Sequence, residues 1–455
     1  MYACDIIFRN RSILFLFFLC IAYLEILGGE LPENDPKANI ILTESELKPS
    51  PNRSRSITLQ DAERMFLRNN LSLLSSRLEV ESKKAEIIQA GLWENPTFYV
   101  DQNIYNKETK QYFDTSKNGE TVVQIQQLFY MAGKRDKRVQ LAKWNKSAAE
   151  QMFYDTLRSL KLELRSSFFQ LYYSRNALEF YEECIPRVKN TIKGAENVYK
   201  NRQILLSELL RLKSILFRLE TDRSELIKNI LEREKALKIL LNEPDMLDAE
   251  VVPVFSGMED AVFSPLVLEP DRLLNVALEH RPDLKGLELL VNAERANLTL
   301  QKAMAVPDLS IGGSYDRAGN YIKDYYGVTI SMPIPVFNRN QGNIKASETA
   351  LASKKAELEE KLLSVKSEVR SALGIAKEKD RLLQEYKESF TKDYKNLSAL
   401  MIENYKKKYL TILEFADFFE SYSDSTLKMI RLQSDRIEAV EILNFTVGKT
   451  VFGEL

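Results

Sequence analysis

The chain repeats itself. Asn70-Leu71-Ser72-Leu73 aligns with Arg281-Pro282-Asp283-Leu284 at an offset of 211 residues, and Ala85 with Ala296 and Pro96 with Pro307 keep that offset. Phe129 meets Phe337 at 208, while Tyr199 meets Tyr405 and Glu208 meets Glu414 at 206. Such drift places small length changes in loops, where chains tolerate them. Each half therefore carries one order of elements: helix, strand, loop, strand, long helix, break, second helix. Length alone, 455 residues, would suggest about three unrelated domains, and the repeat overrides that prior.

The helices carry coiled-coil spacing. Phe153, Leu157, Leu160, Leu164, Phe168 and Leu171 step by 4, 3, 4, 4 and 3, and Leu205, Leu209, Leu212, Leu216 and Leu219 by 4, 3, 4 and 3. In the second half Leu358, Leu362, Val365, Val369, Ala372 and Ala376 keep that period. An apolar seam of this kind has to be buried against other helices. From about Lys134 to Lys200 the only proline is Pro186. A nearly continuous helix on the order of 100 Å is expected there, kinked at Pro186.

Four short segments alternate instead. Phe98, Val100 and Ile104 alternate with Tyr99, Asp101 and Asn103; Val123 and Ile125 alternate with Gln124 and Gln126. Leu309, Ile311 and Tyr315 alternate with Ser310, Gly312 and Ser314; Tyr326, Val328, Ile330 and Met332 alternate with Gly327, Thr329 and Ser331. One apolar and one small or polar face is the pattern of a wall with lipid outside and water inside. A soluble sheet lying on a core would alternate too, but no core-forming sequence lies nearby. Four strands cannot close a barrel, and an open edge in lipid leaves backbone groups unsatisfied at several kcal/mol each. Several chains must then share one barrel. Three give twelve strands; two give eight, which side chains nearly fill.

The N-terminus reads as an export signal: Arg9 and Arg11, an apolar run from Ile13 to Leu19, and Cys20-Ile21-Ala22 as a small-x-small site. Cleavage after Ala22 is expected, with a lipid on Cys20 or a retained membrane helix as alternatives. The run is short for a span, and Glu25 interrupts its far side. Cys184 is the one cysteine left beyond the signal, so no internal disulfide is expected and the thiol reads as a buried helix residue. Residues 23–56, with four prolines, read as a flexible leader. The first repeat spans 57–244, a connector 245–268, the second repeat 269–447 and a tail 448–455. The 64 basic and 65 acidic residues balance, which gives no reason to expect nucleic acid as a partner.

Both halves lead a helix through a proline (Pro96, Pro307) into a strand. The second half then runs Val328-Thr329-Ile330-Ser331-Met332-Pro333-Ile334-Pro335-Val336-Phe337-Asn338-Arg339-Asn340-Gln341-Gly342. Leu128-Phe129-Tyr130-Met131-Ala132-Gly133-Lys134-Arg135 is its weaker first-half counterpart. On these residues the chain, from about Ile57 to Val447, resembles the TolC-like outer-membrane factor family of efflux proteins. It is most similar to the branch attached to heavy-metal cation pumps of the cobalt-zinc-cadmium and copper-silver type. The resemblance implies a mainly α fold with a small β part. It also implies a homotrimer with a 12-stranded transmembrane β-barrel and a coiled-coil helical tunnel through the periplasm. The implied partners are a periplasmic adaptor protein, an inner-membrane efflux transporter and outer-membrane lipid. Pro333, Pro335, Phe337, Asn338 and Gly342 form the expected barrel-to-helix junction. Proline has a local reason to stand there, since it lacks an N–H and redirects the chain out of the sheet.

Both halves turn back at the same motif, Tyr199 to Glu208 and Tyr405 to Glu414. The family's break usually has a glycine three residues after the tyrosine; Arg202 and Lys408 stand there instead. With Lys406 and Lys407 beside them the tip is basic, and Glu208 and Glu414 keep the acidic position. These residues are the candidate periplasmic gate and adaptor contact. The loops near Lys107 to Gly119 and Arg317 to Asp324 are expected outside the cell. No phosphate loop, Gly-x-Ser-x-Gly or His-Glu-x-x-His is present, and His280 is the only histidine, read as a helix-end residue. No catalysis, cofactor or metal site is expected. The function expected is a passive export duct for small solutes, with heavy-metal cations among them. The alternatives are a type I secretion duct for polypeptides and a periplasmic coiled-coil scaffold.

Overall fold

The computed structural model describes residues 54–255, 269–318, 322–391 and 400–451, apart from 402, 406 and 408. The export signal, Cys20, the leader before Ser54, most of the connector, Lys406, Lys408 and the end of the tail lie outside the described residues.

Two similar halves follow one another. The first comprises β1 (Ser54–Thr58), α1 (Leu59–Asn69), α2 (Leu71–Ala90), β2 (Thr97–Gln102), the short pair β3 (Tyr105–Asn106) and β4 (Gln111–Tyr112), β5 (Thr121–Phe129), α3 (Lys134–Lys200) and α4 (Leu206–Leu241). The second comprises β6 (Glu250–Val254), α5 (Pro270–His280), α6 (Pro282–Met304), β7 (Leu309–Asp316), β8 (Tyr325–Ser331), α7 (Gln341–Thr391) and α8 (Ile412–Val447). At 67 residues α3 reaches about 100 Å and runs unbroken through Pro186. It packs along α2, α4 and α6, α6 packs along α7, and α8 packs against both α3 and α7. Among the described residues no helix is long and apolar enough to cross a membrane.

The first strand ends at Gln102 and the fourth at Ser331, so Ile104 and Met332 fall outside strands expected to include them. The four strands form one antiparallel sheet in the order β2-β5-β7-β8. Register makes its two faces consistent across all four. Phe98 pairs with Ile125 and Val100 with Val123; Val123 pairs with Tyr315, Phe129 with Leu309, Ile311 with Ile330 and Tyr315 with Tyr326. The opposite face pairs Tyr99 with Gln124, Gln126 with Gly312, Gly312 with Thr329 and Ser314 with Gly327. The apolar face has no core beneath it: Phe98 is 62% exposed and Val328 78%. A soluble sheet lying on a core would bury these residues, so that alternative does not describe this sheet. Beyond the strands, Arg317 donates to the Thr115 carbonyl, tying the two strand-connecting loops together.

The cores lie among the helices. One cluster joins Phe66, Leu164, Phe168, Leu171, Leu237 and Ile437; a second, farther along α3, joins Tyr181, Val188, Leu212, Leu219, Phe415 and Phe419. A parallel pair that the sequence pattern did not announce, β1 on β6, closes the first cluster and begins inside the segment assigned to the leader. Cys184 is a buried free thiol, and burial pushes its pKa up to about 12.

Helix ends at mid-length are tied by buried ions. Asn70 and Arg281, matched by the repeat, hold equivalent corners. Asn70 accepts from the Leu73 N–H at 2.9 Å and donates to the Leu240 carbonyl at 2.9 Å. Arg281, 2% exposed, donates to both Asp283 oxygens (3.0 and 2.6 Å), to Glu368 (2.6 Å) and to the Thr446 carbonyl (3.0 Å). Burial alone would raise the Asp283 carboxyl; hydrogen bonds from Arg281 and Lys361 outweigh it and hold the group well below its ordinary range. Gly448 ends α8 at φ 77°, and a Cβ there would sit 3.1 Å from the Arg281 Cγ. Nearby, Arg165 grips Glu441 through two bonds of 2.8 and 2.7 Å and reaches Glu63 at 2.7 Å.

Candidate functional site

The junction between sheet and helices is built differently in the two halves. After β5 the chain turns within four residues, with Ala132 and Gly133 both left-handed at φ 55° and 64°. The turn docks on the lead-in to β7: the Met131 N–H donates to Asp308 at 2.8 Å, and the buried Lys134 ammonium meets the same carboxylate at 2.7 Å. After β8 nine residues intervene before α7. Pro333, Pro335, Phe337 and Asn338 are all exposed there, and space around Gly342 is open. Asn340, left-handed at φ 58°, anchors the start of α7 by donating to the Gln301 carbonyl at 2.7 Å. Asp308, Asn340 and Gln301 were not singled out from sequence; Pro307 immediately before Asp308 was the one local signal.

At the far end of the helices the two breaks share a backbone solution. In the first, Arg202 takes a left-handed φ of 57°; its N–H donates to the Tyr199 carbonyl (2.8 Å) and that of Gln203 to the Val198 carbonyl (3.1 Å). This is the Schellman termination, whose left-handed position favours glycine. In the second break the Tyr409 N–H makes the equivalent bond to the Asn404 carbonyl at 2.9 Å. Glu208 accepts from the Leu205 N–H at 3.2 Å and Glu414 from the Thr411 N–H at 2.8 Å, so both acids cap returning helices. The Thr411 N–H and hydroxyl hold the Glu414 carboxyl below its ordinary range. Tyr405 stacks on Phe415 with ring centroids 4.8 Å apart, and burial raises its phenol; Tyr199 is part-exposed. Lys407 pairs with Glu403 one turn back at 2.7 Å. The ion pairs that cross between the returning helices α4 and α8 are others: Arg211 with Asp417 and Arg218 with Glu420. Among the described residues the breaks thus bring Glu208 and Glu414 into caps rather than into inter-helix charge pairs within one chain.

The chain thus joins long helices to a four-stranded sheet with an exposed apolar face and two open edges. The outer membrane efflux protein family model matches residues 64–201 and 273–444, one stretch in each half and together more than half of the chain. The chain belongs to that family. It is 23% identical over 326 residues to the probable outer membrane lipoprotein SilC of Salmonella typhimurium, covering 68% of each. It is 22% identical over 292 residues to the cobalt-zinc-cadmium resistance protein CzcC of Cupriavidus metallidurans, covering 63% of this chain and 65% of that one. A crystal structure of CusC, described in terms of transmembrane channel formation, superposes with a TM-score of 0.69 at 17% identity, over 86% of this chain and 92% of that chain.

Proposed function

We propose that three copies of this chain close one twelve-stranded barrel in the outer membrane and extend a helical tunnel into the periplasm. The duct exports small solutes passively, in concert with a periplasmic adaptor and an inner-membrane transporter. Heavy-metal cations are the substrate class that the name of the CzcC relative favours. The observation that carries the reading is the sheet, mostly apolar on one face with Phe98, Val100, Ile125, Ile311, Val328 and Ile330 exposed there, and unpaired at both β2 and β8. Lipid satisfies the face, and neighbouring copies satisfy the edges. The sheet would serve a polypeptide duct equally, so that alternative is set aside on the name of CzcC alone, and a scaffold leaves the apolar face unexplained. A duct also has no use for tight cargo binding, since a tightly held ion leaves slowly.

The two helix breaks form the periplasmic gate in this reading. Arg211–Asp417 and Arg218–Glu420 tie α4 to α8 beside the breaks, and Arg202 and Lys407 face an adaptor. A partner opens the gate by binding the open arrangement better than the closed one. The test is the outer-membrane fraction of the native host. A heat-modifiable trimer is expected there, and deleting the gene should raise sensitivity to divalent or monovalent heavy metals. Monomer in the soluble periplasmic fraction would overturn the duct. An unchanged metal tolerance with an intact trimer would overturn the substrate class alone.

A further inference from the structure

We infer that the Met332–Phe337 turn of one protomer seats on the Leu92–Trp93 ledge of the next, an apolar clasp that fastens adjacent copies at the periplasmic rim. The inference rests on the closed oligomeric barrel proposed above. Topology brings the two segments level. β2 and β8 are the edges of an antiparallel sheet, so continuing the alternation sets β8 of one copy against β2 of the next. β8 ends at Ser331 on the side where β2 starts at Thr97. The turn leaving β8 therefore lies beside the neighbour's segment entering β2.

The repeat supplies the same joint inside one chain. There the turn leaving β5 docks on the segment entering β7 through Asp308, which receives the Met131 N–H and the Lys134 ammonium. At the repeat offsets Asp308 corresponds to Thr97 and Lys134 to Gly342, so this polar fastening has no counterpart between chains. Apolar surface stands in its place. The longer turn inserts Met332-Pro333-Ile334-Pro335-Val336 ahead of Phe337, which is 90% exposed, and Ile334 and Val336 are exposed too. On the other side Leu92 and Trp93 are half-exposed and line an open groove with Tyr130 and Leu141. Trp93 is already fixed, stacked on Tyr130 at 6.2 Å between centroids and approached by the Arg135 guanidinium at 5.0 Å. Two prolines restrict the turn before it docks, so little freedom is lost on contact. A rigid aromatic ledge and a restricted apolar turn are the components of an interface anchor.

The experiment places a photo-reactive benzoyl-phenylalanine at position 337 of the full chain in its own membrane. Irradiation is expected to yield covalently linked copies, with the adduct mapped to residues 86–95 of the neighbouring chain. An intact heat-modifiable trimer whose adducts sit on phospholipid, or on the same chain, overturns the clasp and leaves the trimer standing. Absence of any trimer in the unsubstituted protein overturns both. Trp93→Ala and Phe337→Ala should each lower the temperature at which the trimer dissociates in detergent, and the double variant should fall no further than the larger single effect. Additive shifts would likewise refute the contact.

Discussion

Val328 lies three residues from either end of β8, on the face that also carries Ile311, Ile330 and Tyr326, and it is 78% exposed. Thr329 is its neighbour on the other face, opposite Gly312. Arginine at mid-depth on the lipid face of a barrel costs about 2–4 kcal/mol per chain. Three chains bear it together, about 6–12 kcal/mol for a trimer on the same scale. Val328→Arg should therefore abolish or nearly abolish the heat-modifiable trimer, whereas Thr329→Arg, pointing into water, should leave its yield near that of the unsubstituted protein. The assay is a seminative gel of the outer-membrane fraction, quantified against total chain by immunoblot. Equal yield from both variants would refute the assignment of faces, and loss with Thr329→Arg alone would show the sheet inside out.

Arg202→Gly should stabilise the first break by roughly 1 kcal/mol, because only glycine escapes the left-handed penalty, and slower amide exchange over residues 198–206 checks it. Arg281→Met should cost about 3–5 kcal/mol by leaving Asp283 and Glu368 without their shared cation; a loss under 1 kcal/mol in thermal unfolding would mean Lys361 and Arg158 suffice. The folded pKa of Asp283 is depressed, so its contribution is complete above about pH 4 and fades as pH falls toward the folded value; unfolding temperature should drop in that window, and less so in Asp283→Asn. Cys184, buried and with its thiol pushed up to about 12, should resist maleimide at pH 8 and label fully once unfolded. Arg211→Ala with Arg218→Ala should raise resting single-channel conductance without changing trimer yield; an unchanged conductance puts the gate elsewhere.

Periodic features were legible in the sequence because each is written locally. The seam from Phe153 to Leu171 and the alternation around Val328 need only a window of a few residues. The repeat offset then supplied the order of elements without any contact being known. Features made by distant partners left no such trace. Ser54–Thr58 is too short and mixed to read as a strand, and its partner Glu250–Val254 lies in the segment taken for a connector. Arg281 stood out as a repeat match, yet its ligands Glu368 and Thr446 come from α7 and α8. Glu208 and Glu414 were singled out from their matched places in the repeat, but a count of charges cannot tell a helix cap from an inter-helix pair. Only the bond to the backbone N–H of Leu205 or Thr411 separates the two roles.

The repeat is therefore a constraint that the chain obeys in the backbone of its helix breaks and departs from in the turns and side chains of its rim. At the helix breaks both halves keep the bond pattern, Gln203 to Val198 and Tyr409 to Asn404, and α4 and α8 begin at positions matched by the repeat, Leu206 and Ile412. In the trimer proposed above, that equivalence would let six turns ring one opening. At the rim the halves diverge. The joint inside the chain is closed by the buried Lys134–Asp308 pair, which forms as the monomer folds. The turn after β8, which in the trimer proposed above would meet a neighbour, exposes Ile334, Val336 and Phe337 instead. A buried charge waiting for its partner would cost several kcal/mol in the unassembled chain, whereas exposed apolar side chains cost little until a partner removes them from water. The asymmetry suits a protomer that folds alone and then assembles, with polar fastening where the partner is always present and apolar fastening where it has to be found.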